Sequence, residues 1–254
     1  MLLAIDMGNT NIEVGLMDGE QLISSDRIAT DLRKTETEYA VLLHTIFEIR
    51  GIDPAMISGS IISSVVPPLT HIIREAVKRV TKTAPLVVGP GIQTGLKIRI
   101  DNPKELGADL VVGSVAAIEL YGPPVIVIDM GTATTLCAIG ADSSYLGGIL
   151  MPGINLSMNA LADGTSQLPR IALEAPKKVI GSNTVTAIQS GMIFGQASLL
   201  DGMSDRIEEE CGYPMQIVAT GGLAKIVVPH MKRKVILDSE LMIKGLRIIY
   251  EKNR

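Results

Sequence analysis

The chain opens with MLLAIDMGNTN, residues 1–11, in which an apolar run ends in a carboxylate followed by small polar residues. Residues 2–5 predict a short buried strand that runs directly into Asp6. A carboxylate at the end of a buried strand is costly unless something compensates its charge. A tight turn at Gly8 exposes backbone amides that can bind an anion, and Asp6 could hold a cation, or a water on that cation, against that anion. The pattern therefore indicates a phosphate-binding loop.

The same pattern occurs a second time. Residues 125–139, VIVIDMGTATTLCAI, repeat residues 2–16, LLAIDMGNTNIEVGL, at an offset of 123, so that Asp129 corresponds to Asp6. Each stretch alone is also compatible with an ordinary strand–turn–strand hairpin, because Asp and Gly favour turns. The repetition favours a duplicated domain with one phosphate loop in each copy.

The composition limits the class of protein. A chain of 254 residues can form one large or two small domains, and its 46% hydrophobic and 20% charged residues suit a soluble α/β protein. The net charge of −4, with no basic run longer than residues 232–234, argues against nucleic-acid binding. Cys137 and Cys211 can form neither a disulfide framework nor a metal cluster. Without a signal peptide or an apolar run of bilayer length, we expect a cytoplasmic protein that does not bind membranes.

The predicted elements of the first half follow the order strand, strand, strand, helix, strand, helix, strand. The first helix is indicated by a capping box that starts at Thr35. Residues 89–109 predict a loop, and Ser182 could cap a long helix in the second half. The order is that of a ribonuclease-H-like domain. We therefore expect an α/β protein of two ribonuclease-H-like domains, residues 1–121 and 122–254, with a nucleotide cleft between them.

Two further segments complete the candidate site. The tripeptide Thr220-Gly221-Gly222 follows a predicted strand, and a position without a side chain suits a flat base, so we interpret it as an adenosine contact; alone, it is also an ordinary strand-ending turn. Asp109 follows Gly107 and Ala108, small residues that leave room for a ligand at a helix N-terminus. Its carboxylate could accept the proton of an attacking hydroxyl group or cap the helix, and the spacing leaves both interpretations open.

Together these segments resemble type III pantothenate kinase, a family of the acetate-and-sugar-kinase/Hsc70/actin superfamily. The matching motifs follow one another over nearly the whole chain and are DMGNTN (6–11), SSVVPP (63–68), GPGIQTGLKI (89–98), DNPKELGAD (101–109), DMGTATT (129–135), LGG (146–148), PGI (152–154), LPRI (168–171), IGSNTVTAIQSG (180–191), ATGGLA (219–224) and KGLRIIYEKN (244–253). The resemblance implies that ATP phosphorylates the primary alcohol of pantothenate, the first step towards coenzyme A.

The resemblance also implies roles for individual residues. The family's ATP loop matches residues 6–11, with Thr132 in the second loop. Together with the glycines interpreted above as an adenosine contact, the expected ATP-binding residues are Asp6, Met7, Gly8, Asn9, Thr10, Asn11, Thr132, Gly221 and Gly222. Asp109 corresponds to the proton acceptor, Asp129 to the ligand of a monovalent cation (K⁺ or NH₄⁺), and Asp6 lies on the magnesium side. Thr184 corresponds to a threonine that the neighbouring subunit contributes to the pantothenate pocket, which implies a homodimer.

Three positions depart from the family pattern, all on the pantothenate side. Ile100 stands where the family usually has Tyr, Leu110 where it has Arg, and Gly113 where it has Asn. Leu110 cannot pair with the pantothenate carboxylate as an Arg would, and Ile100 has no hydroxyl group to donate. The expected substrate-side residues are Ile100, Gly107, Ala108, Asp109, Leu110 and Thr184.

The departures keep two alternatives to an active homodimer open. One is a specialised or inactive subunit that forms a heterodimer with an intact paralogue. The other is a non-enzymatic regulator that binds ATP without phosphorylating a small molecule.

Overall fold

The computed structural model describes residues 1–254, which form eleven strands and eight α-helices. The strands are β1 (Leu2–Met7), β2 (Asn11–Asp18), β3 (Gln21–Ala29), β4 (Gly59–Ser64), β5 (Leu86–Val87), β6 (Lys97–Ile98), β7 (Val125–Met130), β8 (Ala133–Ile139), β9 (Ser144–Pro152), β10 (Gln216–Thr220) and β11 (Val235–Leu237). The helices are α1 (Glu36–Arg50), α2 (Pro67–Thr81), α3 (Ala108–Tyr121), α4 (Ile154–Asp163), α5 (Thr184–Ser190), α6 (Gln196–Cys211), α7 (Ala224–Val227) and α8 (Leu241–Lys252).

The two sheets of the protein share one strand order. The first sheet has the order β3-β2-β1-β4-β5, and the second has the order β11-β10-β7-β8-β9-β6. In each sheet three successive strands form an antiparallel meander, and the first of them also pairs in parallel with the fourth. Strands β1–β5 and β7–β11 therefore correspond one for one, with β6 as an addition. This is the ribonuclease-H-like order, so the predicted duplication of an α/β domain is confirmed.

The chain divides into two compact units. The first contains residues 1–96, 104–116 and 241–254, and the second contains residues 97–103 and 117–240. The second unit has a single large core, to which β7, β8, β10 and the helices α4, α6 and α7 contribute.

Helices cover both faces of the sheet in the first unit. Along β1, Leu3 and Ile5 pack in a core with α1 and α2, whereas Leu2 and Ala4 pack in a second core with α3 and α8. This alternation follows from strand geometry, in which successive side chains point to opposite faces. Buried on both faces, β1 is a rigid support for the residues at its end.

The last helix, α8, packs in the first unit. It fits closely against two glycines of the sheet. A Cβ at Gly15 would lie 2.5 Å from Cγ2 of Ile243, and a Cβ at Gly59 would overlap the ring of Tyr250. The units therefore differ from the domains predicted from the sequence, 1–121 and 122–254, which followed chain order and assigned this helix to the second domain.

The helix caps and the loop predicted from the sequence agree with the structure only in part. The capping box at Thr35 is present, and its hydroxyl accepts the N–H of Glu38. Ser182 does not cap the next helix of the second half; Asn183 does, because its Oδ1 accepts the N–H of Thr186 at 2.9 Å. That helix is interrupted by a π-helical turn, Gly191–Gly195. The segment predicted as a loop, 89–109, contains the short strand β6, which pairs with β9.

Candidate active site

The first candidate phosphate loop is the turn between β1 and β2. Asp6 stands near the end of β1 and is half-buried. The Gly8 N–H donates to the Asn11 carbonyl at 3.0 Å and closes the turn. The side chains of Asn9, Thr10 and Asn11 are exposed. The turn therefore presents polar side chains to solvent beside a carboxylate, as a phosphate-binding loop requires.

Two features of this loop were not visible in the sequence. Thr30, directly after β3, donates from its hydroxyl to the Gly8 carbonyl at 2.7 Å, and its N–H donates to the Thr10 carbonyl at 3.0 Å. The third strand of the meander thus supports the turn. Met7, expected among the ATP-binding residues, is 1% exposed and lies in the core, so only its backbone can face a nucleotide.

The second candidate phosphate loop is the turn between β7 and β8. The Gly131 N–H donates to the Ala133 carbonyl at 3.0 Å, and Thr132 is exposed. In the ladder Met130 pairs with Thr134, so this turn is one residue shorter than the first. Residues at the offset of 123 therefore occupy equivalent positions in the two sheets only as far as Gly8 and Gly131.

The N-terminus of α4 lies against this second turn. Gly153, the N-cap residue of α4, donates its N–H to the Thr132 carbonyl at 3.1 Å. A Cβ at Gly153 would lie 2.5 Å from the Gly131 carbonyl oxygen, so only glycine permits this approach. The first amides of a helix carry a partial positive charge that favours anions. Sequence reasoning missed this contribution, although the PGI motif marks its position.

The glycine tripeptide also lies at the second turn. Thr220 pairs with Asp129 in the parallel β7–β10 ladder. Gly221 has a φ of +96°, and a Cβ there would lie 2.6 Å from Oδ1 of Asp129. Glycine is therefore required here by the positive φ and by the Asp129 carboxylate, and also because a Cβ would lie 2.6 Å from the backbone nitrogen of Met130. The structure brings Thr132, Asp129, Gly221 and the adjacent Gly222 together at the carboxyl ends of β7 and β10.

Asp109 lies in the first turn of α3 and is half-buried. Its Oδ1 accepts the Leu110 N–H at 2.8 Å, and a Cβ at Gly107 would overlap this oxygen. The Val111 N–H donates to the Gly107 carbonyl at 3.2 Å, so Gly107 occupies the N-cap position. The interpretation of Asp109 as the N-cap residue is therefore wrong.

The environment of Asp109 makes it a stronger base. Burial raises the pKa of its carboxyl group, and backbone N–H groups that bind the ionised form offset part of this effect. Gly107 lies near Val65, the residue that follows β4. A Cβ at Gly107 would lie 3.8 Å from Cγ1 of Val65, whose N–H donates to the Met7 carbonyl at 3.1 Å. Gly107 therefore lies near a residue that hydrogen-bonds to the end of β1.

The remaining substrate-side residues have apolar or exposed side chains. Ile100, two residues after β6, and Leu110 in α3 are both half-buried, and Gly113 is buried. Thr184 is the first residue of α5 and is exposed. The structure holds no cluster of three or more His, Cys, Asp or Glu side chains with metal-binding geometry. No helix is long and apolar enough to cross a bilayer.

Comparison with known proteins identifies the family. The model of the type III pantothenate kinase family matches residues 2–206. A type III pantothenate kinase of Halalkalibacterium halodurans is 45% identical over 253 residues, covering 100% of both chains. One of Myxococcus xanthus is 44% identical over 253 residues, covering 100% of this chain and 99% of the relative. The chain belongs to the type III pantothenate kinase family.

Structural comparison bears on the fold alone. Component A of (R)-2-hydroxyglutaryl-CoA dehydratase from Acidaminococcus fermentans has a TM-score of 0.55 at 13% identity, covering 100% of this chain and 99% of that one. This chain thus shares its fold with a protein of very different sequence.

Proposed function

We propose that this chain transfers the γ-phosphate of ATP to the primary alcohol of pantothenate and forms 4'-phosphopantothenate, the first step of coenzyme A biosynthesis. The relatives that match it over their full length are type III pantothenate kinases. The observation that carries the proposal for this chain is the Asp109 carboxylate, which Gly107 accommodates and burial makes more basic.

Asp109 is the general base of this reaction. It takes the proton of the pantothenate hydroxyl while that oxygen bonds to the γ-phosphorus, and the bond from the γ-phosphorus to the bridging oxygen of ADP breaks. A positioned base typically contributes a factor of about 10²–10⁴ to the rate. The phosphate loops supply the remaining rate acceleration by holding the phosphates in place, since phosphoryl transfer depends chiefly on positioning and on charge stabilisation.

The nucleotide side offers oxygen ligands that fit two kinds of cation. Asp6, half-buried beside exposed polar side chains, suits Mg²⁺, which prefers a carboxylate together with waters and phosphate oxygens. Asp129 faces Thr135 across the β7–β8 ladder, and the Thr135 hydroxyl is buried without a hydrogen-bond partner. A carboxylate with a neighbouring unpartnered hydroxyl fits K⁺ or NH₄⁺. When bound, such cations neutralise charge on the phosphates.

The second unit supports assembly with another chain. Thr184 is exposed at the start of α5, where a second copy could receive it. Large apolar side chains of this unit are also exposed, namely Leu150, Leu156, Val179, Ile180, Val185 and Leu199. A contiguous patch of such side chains would favour a protein partner. The homodimer that we propose would use this surface and share Thr184 between subunits.

A second candidate, a specialised subunit, follows from the expected pattern of the acceptor side. Ile100 and Leu110 are both half-buried apolar residues, and neither side chain can donate a hydrogen bond to an anionic acceptor. A chain with this defect could still function in a heterodimer with an intact paralogue that supplies the acceptor side.

The deciding experiment is ADP formation by the purified chain with ATP, Mg²⁺ and K⁺, with and without pantothenate. We expect ADP and phosphopantothenate to form together, and only when pantothenate is present. ATP binding without any pantothenate-dependent turnover would contradict the proposal. Turnover that appears only after co-expression with a paralogue would establish the heterodimer instead.

A further inference from the structure

Two family motifs without a role in the proposed mechanism meet in the first unit. Asn253, which directly follows α8, donates from Nδ2 to the Gln93 carbonyl at 2.8 Å, and its Oδ1 accepts the Gln93 N–H at 2.9 Å. The same Nδ2 donates to the Ile249 carbonyl at 2.7 Å, which fixes the amide to its own helix. One side chain therefore satisfies both backbone groups of Gln93, in the loop formed by residues 89–96.

This loop packs in the same core as the residues before the catalytic carboxylate. Ile92 and Leu96, on either side of Gln93, pack against the core that α8 and α3 form. Leu106 and Ala108 pack against that same core. Since protein interiors are close-packed, a displacement of one group in such a core displaces its neighbours. The position of the loop is therefore coupled to that of the segment that leads into Asp109.

We propose that Asn253 is a positioning residue for the acceptor side of the active site. By holding the loop 89–96 through the backbone of Gln93, it fixes the core on which Leu106 and Ala108 rest, and so the placement of the Asp109 carboxylate. The kinetic part of this inference rests on the proposed function, whereas the structural part does not.

Hydrogen–deuterium exchange of the full chain tests the structural part. Asn253→Ala removes all three hydrogen bonds, and Asn253→Asp keeps an acceptor for the Gln93 N–H but loses the donor to both carbonyls. Gln93→Ala is the matched control, because Gln93 takes part through its backbone and its side chain is exposed. We expect both Asn253 variants to exchange faster in residues 89–96 and in residues 104–110, while the control and the strands of the second unit stay unchanged. Faster exchange confined to 89–96, or spread over the whole chain, would overturn the proposal.

Steady-state kinetics test the catalytic part. A small misplacement of a catalytic group can lower the rate up to about a hundredfold. We therefore expect kcat/KM for pantothenate to fall about ten- to a hundredfold in both Asn253 variants, with the KM for ATP unchanged and Gln93→Ala like the wild type. Equal changes in the KM values of both substrates, or none, would contradict a positioning role. If the wild type shows no pantothenate-dependent turnover, the proposed function fails, and the exchange in residues 104–110 alone decides on Asn253.

Discussion

Asp109 is a carboxylate on which two opposed effects act. Burial disfavours its charge, the N–H of Leu110 stabilises that charge, and burial is the larger effect, so the pKa is raised. Because the pKa is higher in the folded state than in the unfolded state, folding favours the protonated form. The penalty for ionising Asp109 is absent at acid pH and is fully present once the pH exceeds the raised pKa. The residue therefore lowers stability at neutral pH, a cost that active sites commonly carry.

Asp109→Asn should lower the catalytic rate and raise the stability of the protein at neutral pH, so that the two effects of burial can be measured separately. We expect kcat to fall by about 10²–10⁴, because the amide cannot accept the proton at neutral pH. We also expect the variant to unfold at a higher temperature than the wild type at pH 7, and this gain to shrink as the pH falls through the raised pKa. Thermal unfolding at neutral and acid pH, with exposed Glu209→Gln as the control, measures the second effect. Near-native turnover would show that Asp109 is not the base.

Asp129 gives a prediction about cation dependence. The Asp129 carboxylate and the unpartnered Thr135 hydroxyl lie opposite each other in the ladder and form the proposed K⁺ site. Replacing K⁺ by choline at equal ionic strength should raise the KM for ATP in the wild type. In Asp129→Ala the KM for ATP should already be high and should change little with K⁺. Equal sensitivity of the two proteins to K⁺ would rule out this site.

At the scale of elements, α4 and the second phosphate turn depend on one glycine. Gly153→Ala would place a Cβ 2.5 Å from the Gly131 carbonyl oxygen, so α4 must move away from the turn. Overpacking of this kind costs roughly 1–3 kcal/mol, and displacing the helix N-terminus should also raise the KM for ATP. Gly202→Ala in α6, where a Cβ meets nothing within 4 Å, is the control and should stabilise the protein by about 0.5–1 kcal/mol. Unfolding curves that coincide for the wild type and Gly153→Ala would contradict this account.

Elements with strong local signals were predictable from the sequence. The repeat identified β1 and β7, because both are apolar strands that end in the same tetrapeptide. The capping box and the glycine after it, Gly51 with a φ of +64°, bounded α1. The strand β6 was not predictable, since it is two residues long and exists only through its pairing with β9. The first turn is one residue longer than the second because β1 and β2 pair in a different register from β7 and β8, and the sequence repeat did not reveal this register.

The residues of the candidate site also separate into those that the sequence could place and those that it could not. Asp129 and Gly221 could be placed together from the sequence, because Asp129 stands at the end of a strand, Gly221 follows one, and parallel neighbours end at the same edge of a sheet. Thr30, Gly153 and Asn253 could not, since each acts through a contact with a turn or loop distant in sequence. Their residue types carry no chemical signal of their own.

At the scale of the whole chain, sequence order and spatial grouping diverge. The segment 97–103 belongs to the second unit, the segments 104–116 and 241–254 belong to the first, and α8 fills the space that Gly15 and Gly59 leave. Of the substrate-side residues, Ile100 lies in the second unit and Leu110 in the first. Variants of these two residues are therefore tested in the intact chain.

Leu110→Arg combined with Ile100→Tyr tests whether the departures impair acceptor binding. The two substitutions would supply a charged and a neutral donor to the pantothenate carboxylate. A hydrogen bond to a charged group contributes about 1.5–3 kcal/mol, which corresponds to roughly a 10- to 150-fold change in affinity. We expect the wild-type homomer to phosphorylate pantothenate poorly while binding ATP normally. The double variant should then have a much lower KM for pantothenate and an almost unchanged KM for ATP.

The outcome also decides between the homodimer and the heterodimer. If the wild type is weak and co-expression with an intact paralogue restores turnover, the chain works as a specialised subunit, and its ATP side is what it contributes. If the double variant alone restores turnover, the chain is a complete kinase with a weakened acceptor side. Full activity of the wild-type homomer, with no gain in the double variant, would mean that another residue binds the carboxylate. In that case Ile100 and Leu110 do not limit acceptor binding, and the exposed Thr184 of a second copy becomes the first residue to test by substitution, with the KM for pantothenate as the readout.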